Sequence, residues 1–306
     1  MKKIIITILI SLMIAFAAIA CKNLFSCDIP IHNRGIADLA SRGDQKILFV
    51  GSSTFRSNLD IDMLDEAFDD EAYILAYGGN QYVAADIQYD ELKNRGVKTD
   101  LLVIELDPLL LTEEVKLSDS RVIWDLSWEG KKRLWQSMSA KGADFDLFFE
   151  YFITSGMDDL ITYPVTERFY ATRYKKGAKT DETPSSGKEF LENESFDISA
   201  LAPIPAQEEA LLSLISKCKA DGQPFILLEC PHYYRLQDDE AYVRNLSYIT
   251  DLTQEEADSR IFASDVSFNC SDSAYYEDMS HMSADGRRVY TKALIEKIKS
   301  SLPADE

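Results

Sequence analysis

From Lys46 onward the chain alternates between short unbroken apolar runs and longer stretches with helical spacing. The apolar runs are KILFV (46–50), AYILAY (72–77), LLVIEL (101–106), PFILLE (224–229) and RIFASDV (260–266). Runs of this length without strict polar alternation suit strands covered on both faces, as in a parallel sheet. Between them, AQEEALLSLISKCKADG places Ala210, Leu211, Leu214, Ile215 and Cys218 on one helical stripe and stops at Gly222. The closing segment repeats Tyr290, Leu294, Ile298 and Leu302 every fourth residue. Strands alternating with helices predict a doubly wound α/β three-layer sandwich around a mainly parallel five-stranded sheet, with right-handed crossovers.

One stretch breaks the alternation. About a hundred residues separate the third run from the Ala210 helix, far more than an ordinary connection needs. This insertion, residues 109–205, holds Trp124, Trp128 and Trp135, followed by Phe145, Phe148, Phe149, Tyr151 and Phe152. It reads as a helical subdomain over the carboxyl edge of the sheet, its aromatics either core or the lining of a cleft. Residues 175–199 are charged, with Gly, Ser and Pro, and read as a surface loop.

Before the alternation begins, the chain has a different character. Two lysines precede an uncharged run from Ile4 to Ala20, and Cys21 follows. A basic flank, an apolar stretch and small residues before a cut point are the layout of an export signal. The AIAC segment resembles the bacterial lipoprotein box, in which the cysteine carries the lipid. An uncleaved membrane anchor is the competing reading. Residues 1–21 are thus signal or anchor, 22–44 a tether, and 45–306 the domain.

A net charge of −20 argues against nucleic acid as a partner and against docking on anionic lipid through a basic patch. Past Cys21, four cysteines remain (Cys27, Cys218, Cys230, Cys270) and no CxxC pair, so neither a zinc ribbon nor a thioredoxin-like site is expected.

Candidate chemistry gathers at the strand ends. In an open parallel sheet, ligands bind beyond the carboxyl ends of the strands. Ser52 and Ser53 follow the first run directly. A serine hydroxyl needs a base to take its proton, and the chain offers only His32, His232 and His281. His32 lies in the tether. His232 follows the fourth run, in ECPHYYR. His281 follows the fifth, in YYEDMSHMSADG, three residues after Asp278. That spacing lets the carboxylate hold one ring nitrogen while the other faces a serine. Cys230, His232, Asp278 and His281 could otherwise form only a mixed metal shell of no recognised spacing.

FVGSST near the start and DMSHMSADG near the end resemble the SGNH/GDSL hydrolase superfamily. The resemblance covers roughly residues 45–107 and 207–300 and implies a flavodoxin-like α/β fold. It implies Ser53 as nucleophile, His281 as general base and Asp278 as its partner, with Ser52 where aspartate is often found. The family's second block matches LAYGGNQ, so the oxyanion hole would be the Ser53 and Gly79 N–H groups, with Gly78 next in line. The third block departs: IELDPLLL replaces the family's Gly-x-Asn-Asp, so Asn80 is the candidate substitute donor, since an ionised Asp107 cannot donate. A tethered chain of this kind resembles the branch acting on cell-envelope polymers, which includes D-alanyl transfer and polysaccharide O-acetylation proteins. That branch implies acyl transfer or deacylation on an acylated glycan or envelope polymer, without metal or organic cofactor, beside a membrane acyltransferase. The other reading is a non-catalytic envelope binding or assembly partner.

Overall fold

A computed structural model of the chain describes residues 2–25, 33–117, 119–158, 173–257 and 259–301. Cys27 and His32 lie outside them. The central sheet consists of β1 (Gln45–Gly51), β2 (Ala72–Ala76), β3 (Thr99–Glu105), β6 (Phe225–Leu228) and β7 (Arg260–Ile261), all parallel, in the order β2-β1-β3-β6-β7. A separate antiparallel hairpin, β4 (Tyr174–Lys175) and β5 (Ala178–Lys179), sits within the insertion.

The apolar runs alternate between two cores because successive strand side chains point to opposite faces. Leu48, Val50, Tyr73, Leu75, Leu102, Ile104 and Leu227 face one core, shared with Ile87 and Leu214 of helices Tyr82–Asn94 and Pro205–Asp221. Ile47, Phe49, Ile74, Leu101, Val103, Ile226 and Leu228 face the other, against Leu64, Tyr290, Leu294 and Ile298 of helices Ile61–Ala67 and Ala284–Ser301. Three layers follow from that double burial. The Pro205–Asp221 helix starts with proline, whose missing N–H costs nothing at that position, and ends at Gly222 with φ +65°.

β1 is flanked by β2 on one side and β3 on the other, so the chain reverses its winding direction there. The crevice at their carboxyl ends is where such sheets bind ligands. It is also where the GSS turn emerges.

Several expectations are corrected. The fifth strand stops at Ile261, because Ala263–Asp265 turns into a short 3-10 helix whose Asp265 carboxylate accepts from the Phe262 N–H at 2.8 Å. The tether range 22–44 contains a folded helix, Gly35–Arg42, with Ile36 and Leu39 in the core and the Ile36 N–H bonded to Asp125 Oδ2 at 2.9 Å. The described residues of the insertion divide between the two faces of the sheet rather than forming one helical subdomain. Its first half packs on the flank of the Tyr82–Asn94 helix, while Ala178 and Leu191 of its second half enter the opposite core. Residues 175–199, read as a surface loop, contain β5 and a helix, Lys188–Asn193.

The N-terminal helix, Lys2–Phe25, is apolar from Ile4 to Cys21, with a mean hydropathy of 2.9 over that span. It is long enough to cross a bilayer. Its apolar side chains are largely exposed, and Cys21 carries a free, exposed thiol.

Candidate active site

Gly51 ends β1 beneath a crowded corner: a Cβ there would collide with the Glu105 side chain and the Phe55 ring. Ser52, extended and buried, caps the helix Ser53–Asn58, its Oγ accepting from the Thr54 N–H at 3.2 Å. Its own N–H and hydroxyl both donate to the Glu105 carboxylate, the hydroxyl at 3.1 Å. These bonds leave Ser52 facing inward. Ser53, one residue on, faces out.

The Ser53 Oγ lies 2.9 Å from His281 Nε2, and His281 Nδ1 lies 2.7 Å from Asp278 Oδ2. With the carboxylate accepting from Nδ1–H, Nε2 is the unprotonated nitrogen that accepts from the serine hydroxyl. The other carboxylate oxygen accepts the Ser280 and His281 N–H groups, each at 2.8 Å. Burial pushes the Asp278 pKa up, but the His281 bond and charge and the two amides outweigh it, and the net shift is below the ordinary carboxylate value.

Two residues with no local sequence signal hold this arrangement. The buried Asn58 amide donates to the Ser280 carbonyl at 3.0 Å and accepts from the Met282 N–H at 2.8 Å, clasping the backbone on both sides of His281. It ends the helix that Ser53 begins, so one short element carries the hydroxyl and fixes the imidazole loop. Glu105 is the second. Burial, followed by the neighbouring Asp107 charge, raises its pKa, which lessens the negative charge held under the serine turn. An asparagine five positions after a serine and a glutamate ending a strand are too common to stand out alone.

The remaining candidates divide. Gly79 takes φ +62° in the turn after β2, and neither its N–H nor that of Ser53 has an acceptor among the described residues. Asn80 does not serve as expected: its amide donates to the Gly51 carbonyl at 3.1 Å and to Gln88 Oε1 at 3.0 Å, so both hydrogens are committed. Asp107 caps the helix Pro108–Thr112 through the Leu109 N–H at 2.8 Å. His232 is buried with Nε2 3.5 Å from Asp107 Oδ2 and its ring edge-on to Tyr242. Desolvation alone would lower the His232 pKa, yet the Asp107 bond and the Asp107, Glu229 and Glu105 charges raise it. It stabilises a buried acidic cluster and makes no bond to Ser53. Among the described residues, no three His, Cys, Asp or Glu side chains are grouped to hold a metal ion.

No protein-family model matches the chain, and no curated protein sequence does. Among solved structures, the chain is similar to a point mutant of Axe2, an acetyl-xylooligosaccharide esterase from Geobacillus stearothermophilus, at 13% identity and a TM-score of 0.39. That match covers 84% of this chain and 95% of the other. It is similar to unmutated Axe2, an acetylxylan esterase from the same organism, at 12% identity and a TM-score of 0.36, with the same coverage.

Proposed function

We propose that this protein is an extracytoplasmic SGNH-type serine esterase or acyltransferase acting on acyl groups, O-acetyl above all, of a cell-envelope glycan or polymer. One observation carries the reading: a hydroxyl, an imidazole and a carboxylate in series, at 2.9 and 2.7 Å, at the switch point of a parallel sheet.

Ser53 Oγ attacks the ester carbonyl carbon as its proton passes to His281 Nε2. Asp278 stabilises the imidazolium and keeps Nδ1 protonated. The oxygen that becomes negative is met by the Ser53 and Gly79 N–H groups, whose hydrogens are otherwise uncommitted. Collapse of the tetrahedral intermediate breaks the ester C–O bond, and the leaving hydroxyl takes the proton from Nε2. Water or a sugar hydroxyl then attacks the acyl-serine, giving its proton to Nε2, and the second collapse frees Ser53. Every proton and electron pair in these steps belongs to the chain, the ester or the acceptor.

The N-terminal helix supports placement outside the cytoplasm, as an uncleaved anchor or as a signal cut before a lipidated Cys21. A membrane acyltransferase is the natural donor if transfer prevails over hydrolysis. The committed Asn80 amide favours a second reading, a binding or assembly partner without turnover. Fluorophosphonate labelling with mass mapping tests the choice. We expect the label on Ser53 in the wild type and none in Ser53→Ala. His281→Ala should lower aryl acetate hydrolysis at least about a thousandfold. A folded wild type that is neither labelled nor active belongs to the second reading.

A further inference from the structure

Although the chain carries a net charge of −20, a cavity of about 180 Å³ is lined by Arg34, Arg121, Arg173 and Lys179, with Tyr174 and Asp181. Tyr174 and Lys179 come from the β4–β5 hairpin, whose second strand packs on the helix that begins with Ser53. Lys179 Nζ also lies 3.1 Å from Glu277, the residue before Asp278. The hairpin that lines the cavity thus touches both the helix that carries Ser53 and the loop that carries Asp278.

Arg56, one turn after Ser53, connects the cavity with the site. A Cβ on Gly78 would stand 3.5 Å from its guanidinium, so Arg56 lies against the turn that presents the Gly79 N–H. Its electrostatic neighbours are Tyr174, Asp119, Arg121 and Arg34, which belong to the cavity and its rim. Arg56 makes no hydrogen bond or ion pair among the described residues, and its Nε is buried without a partner. Burial lowers its pKa, as desolvation of an unpaired cation must. Arg287 differs at its terminal nitrogens: its Nε is likewise buried without a partner, but Nη1 and Nη2 donate to the Lys179 and Asp181 carbonyls at 2.8 and 3.1 Å.

Among the described residues, the carboxylates nearest Arg56 and the cavity lie beside other cations. Asp119 pairs with Arg121, and Asp181 and Glu277 lie near Lys179. None of the three pairs with Arg56. A buried cation without a counter-charge is costly to keep unless something supplies one, and planar arginine forks suit phosphate and carboxylate oxygens.

Building on the ester chemistry above, we propose that this cavity and Arg56 bind an anionic oxygen group, phosphate or carboxylate, carried by the acylated substrate close to the scissile ester. The substrate is then an acylated polyanion, held by its charge while Ser53 meets its ester.

The test is calorimetric titration of the full chain in neutral detergent with inorganic phosphate, at ionic strength held constant with chloride. Saturable binding is expected, weakened at least about tenfold in Arg56→Gln, partly restored in Arg56→Lys and unchanged in Arg244→Gln. Should Arg56→Gln fail to fold by circular dichroism, Arg121→Gln and Lys179→Gln read the same loss. An acetylated oligouronate should displace phosphate at concentrations about tenfold below those of a neutral acetylated xylo-oligosaccharide. No saturable binding, or equal binding by the Arg56 and cavity variants, overturns the proposal. Phosphate binding with no preference for the charged oligosaccharide assigns the cavity to a free anion and overturns its part in substrate recognition. Ser53→Ala keeps the binding if the proposal holds, so loss of serine chemistry and loss of this subsite are separate results.

Discussion

Residues 121–157 and 173–200 belong to the same insertion and are built in opposite ways. The first segment is rich in aromatics and places only some of them inside. Trp124 and Tyr151 join the core and Trp135 and Phe152 pack against it, but Phe145 is 74% exposed, and Trp128, Phe148 and Phe149 also face outward. Val122, Ile123, Leu126 and Leu134 anchor it in the core, and polar ties add to them, with the Ser127 N–H bonded to Glu91 at 3.1 Å and Arg133 to Asp86 at 2.8 Å. Its outer face meets the apolar N-terminal helix, the Phe16 and Phe149 ring centroids lying 6.2 Å apart.

The second segment is charged and poor in large apolar residues, yet it is wedged into the fold. Lys176, only 6% exposed, reaches Asp65 and Asp70 at 2.7 Å each. Its carbonyl accepts the Ile74 N–H at 3.0 Å, so the hairpin covers the outer edge of β2, which would otherwise present unpaired backbone. Apolar content is thus a poor guide to which half supports the site. The hydrophilic half borders Ser53, and the aromatic half borders the N-terminal helix.

The sharpest way to break this contrast is at Gly177. Lys176 and Gly177 form a two-residue hairpin loop with φ +47° and +85°, the left-handed pair that such turns demand. A Cβ at Gly177 would also overlap the Ile74 carbonyl. Gly177→Ala should cost about 3 kcal/mol or more, read as a fall in Tm of several degrees together with loss of esterase activity. An unchanged Tm would mean that the hairpin is not held against β2.

A smaller effect is expected at Lys176. Replacing it by Met leaves the buried Asp65 with a single cation, Lys175 at 3.0 Å. Removing one partner of a buried pair costs about 3–5 kcal/mol when nothing replaces it, so the remaining lysine brings the expectation to about 2 kcal/mol. Denaturant unfolding measures it. The double change Lys176→Met with Asp65→Leu should recover part of the loss, because no isolated charge then stays buried. If the double variant is worse than the single, packing rather than charge holds the hairpin.

The same contrast explains what the sequence revealed and what it hid. Apolar runs marked all five sheet strands because a strand buried on both faces has no polar positions to blur it. Gly51, Ser53, Asp278 and His281 were visible as short local spacings at strand ends. Asn58 and Glu105 were not, since their work is to bond groups distant in sequence, Ser280 and Met282 in one case and Ser52 in the other. Asn80 misled for the same reason: its place in the chain was right, but its amide is used by Gly51 and Gln88. The β4–β5 hairpin escaped because its turn is Lys-Gly rather than Asn-Gly, and because a buried lysine reads as a surface one until its aspartates are seen.

The smallest expected effect lies on the aromatic half. Phe145 contributes a ring to its neighbours, 6.0 Å from Phe149 by centroid, but buries little of its own surface. Phe145→Ser should therefore change the unfolding free energy by no more than about 0.5 kcal/mol, as at other exposed positions. The full chain in detergent is the sample, and thermal melts followed by circular dichroism are the readout. A loss above about 1 kcal/mol would mean that the exposed ring supports the fold, and the two halves of the insertion would no longer differ in kind. A null result leaves the Phe145 ring without a structural duty within the domain.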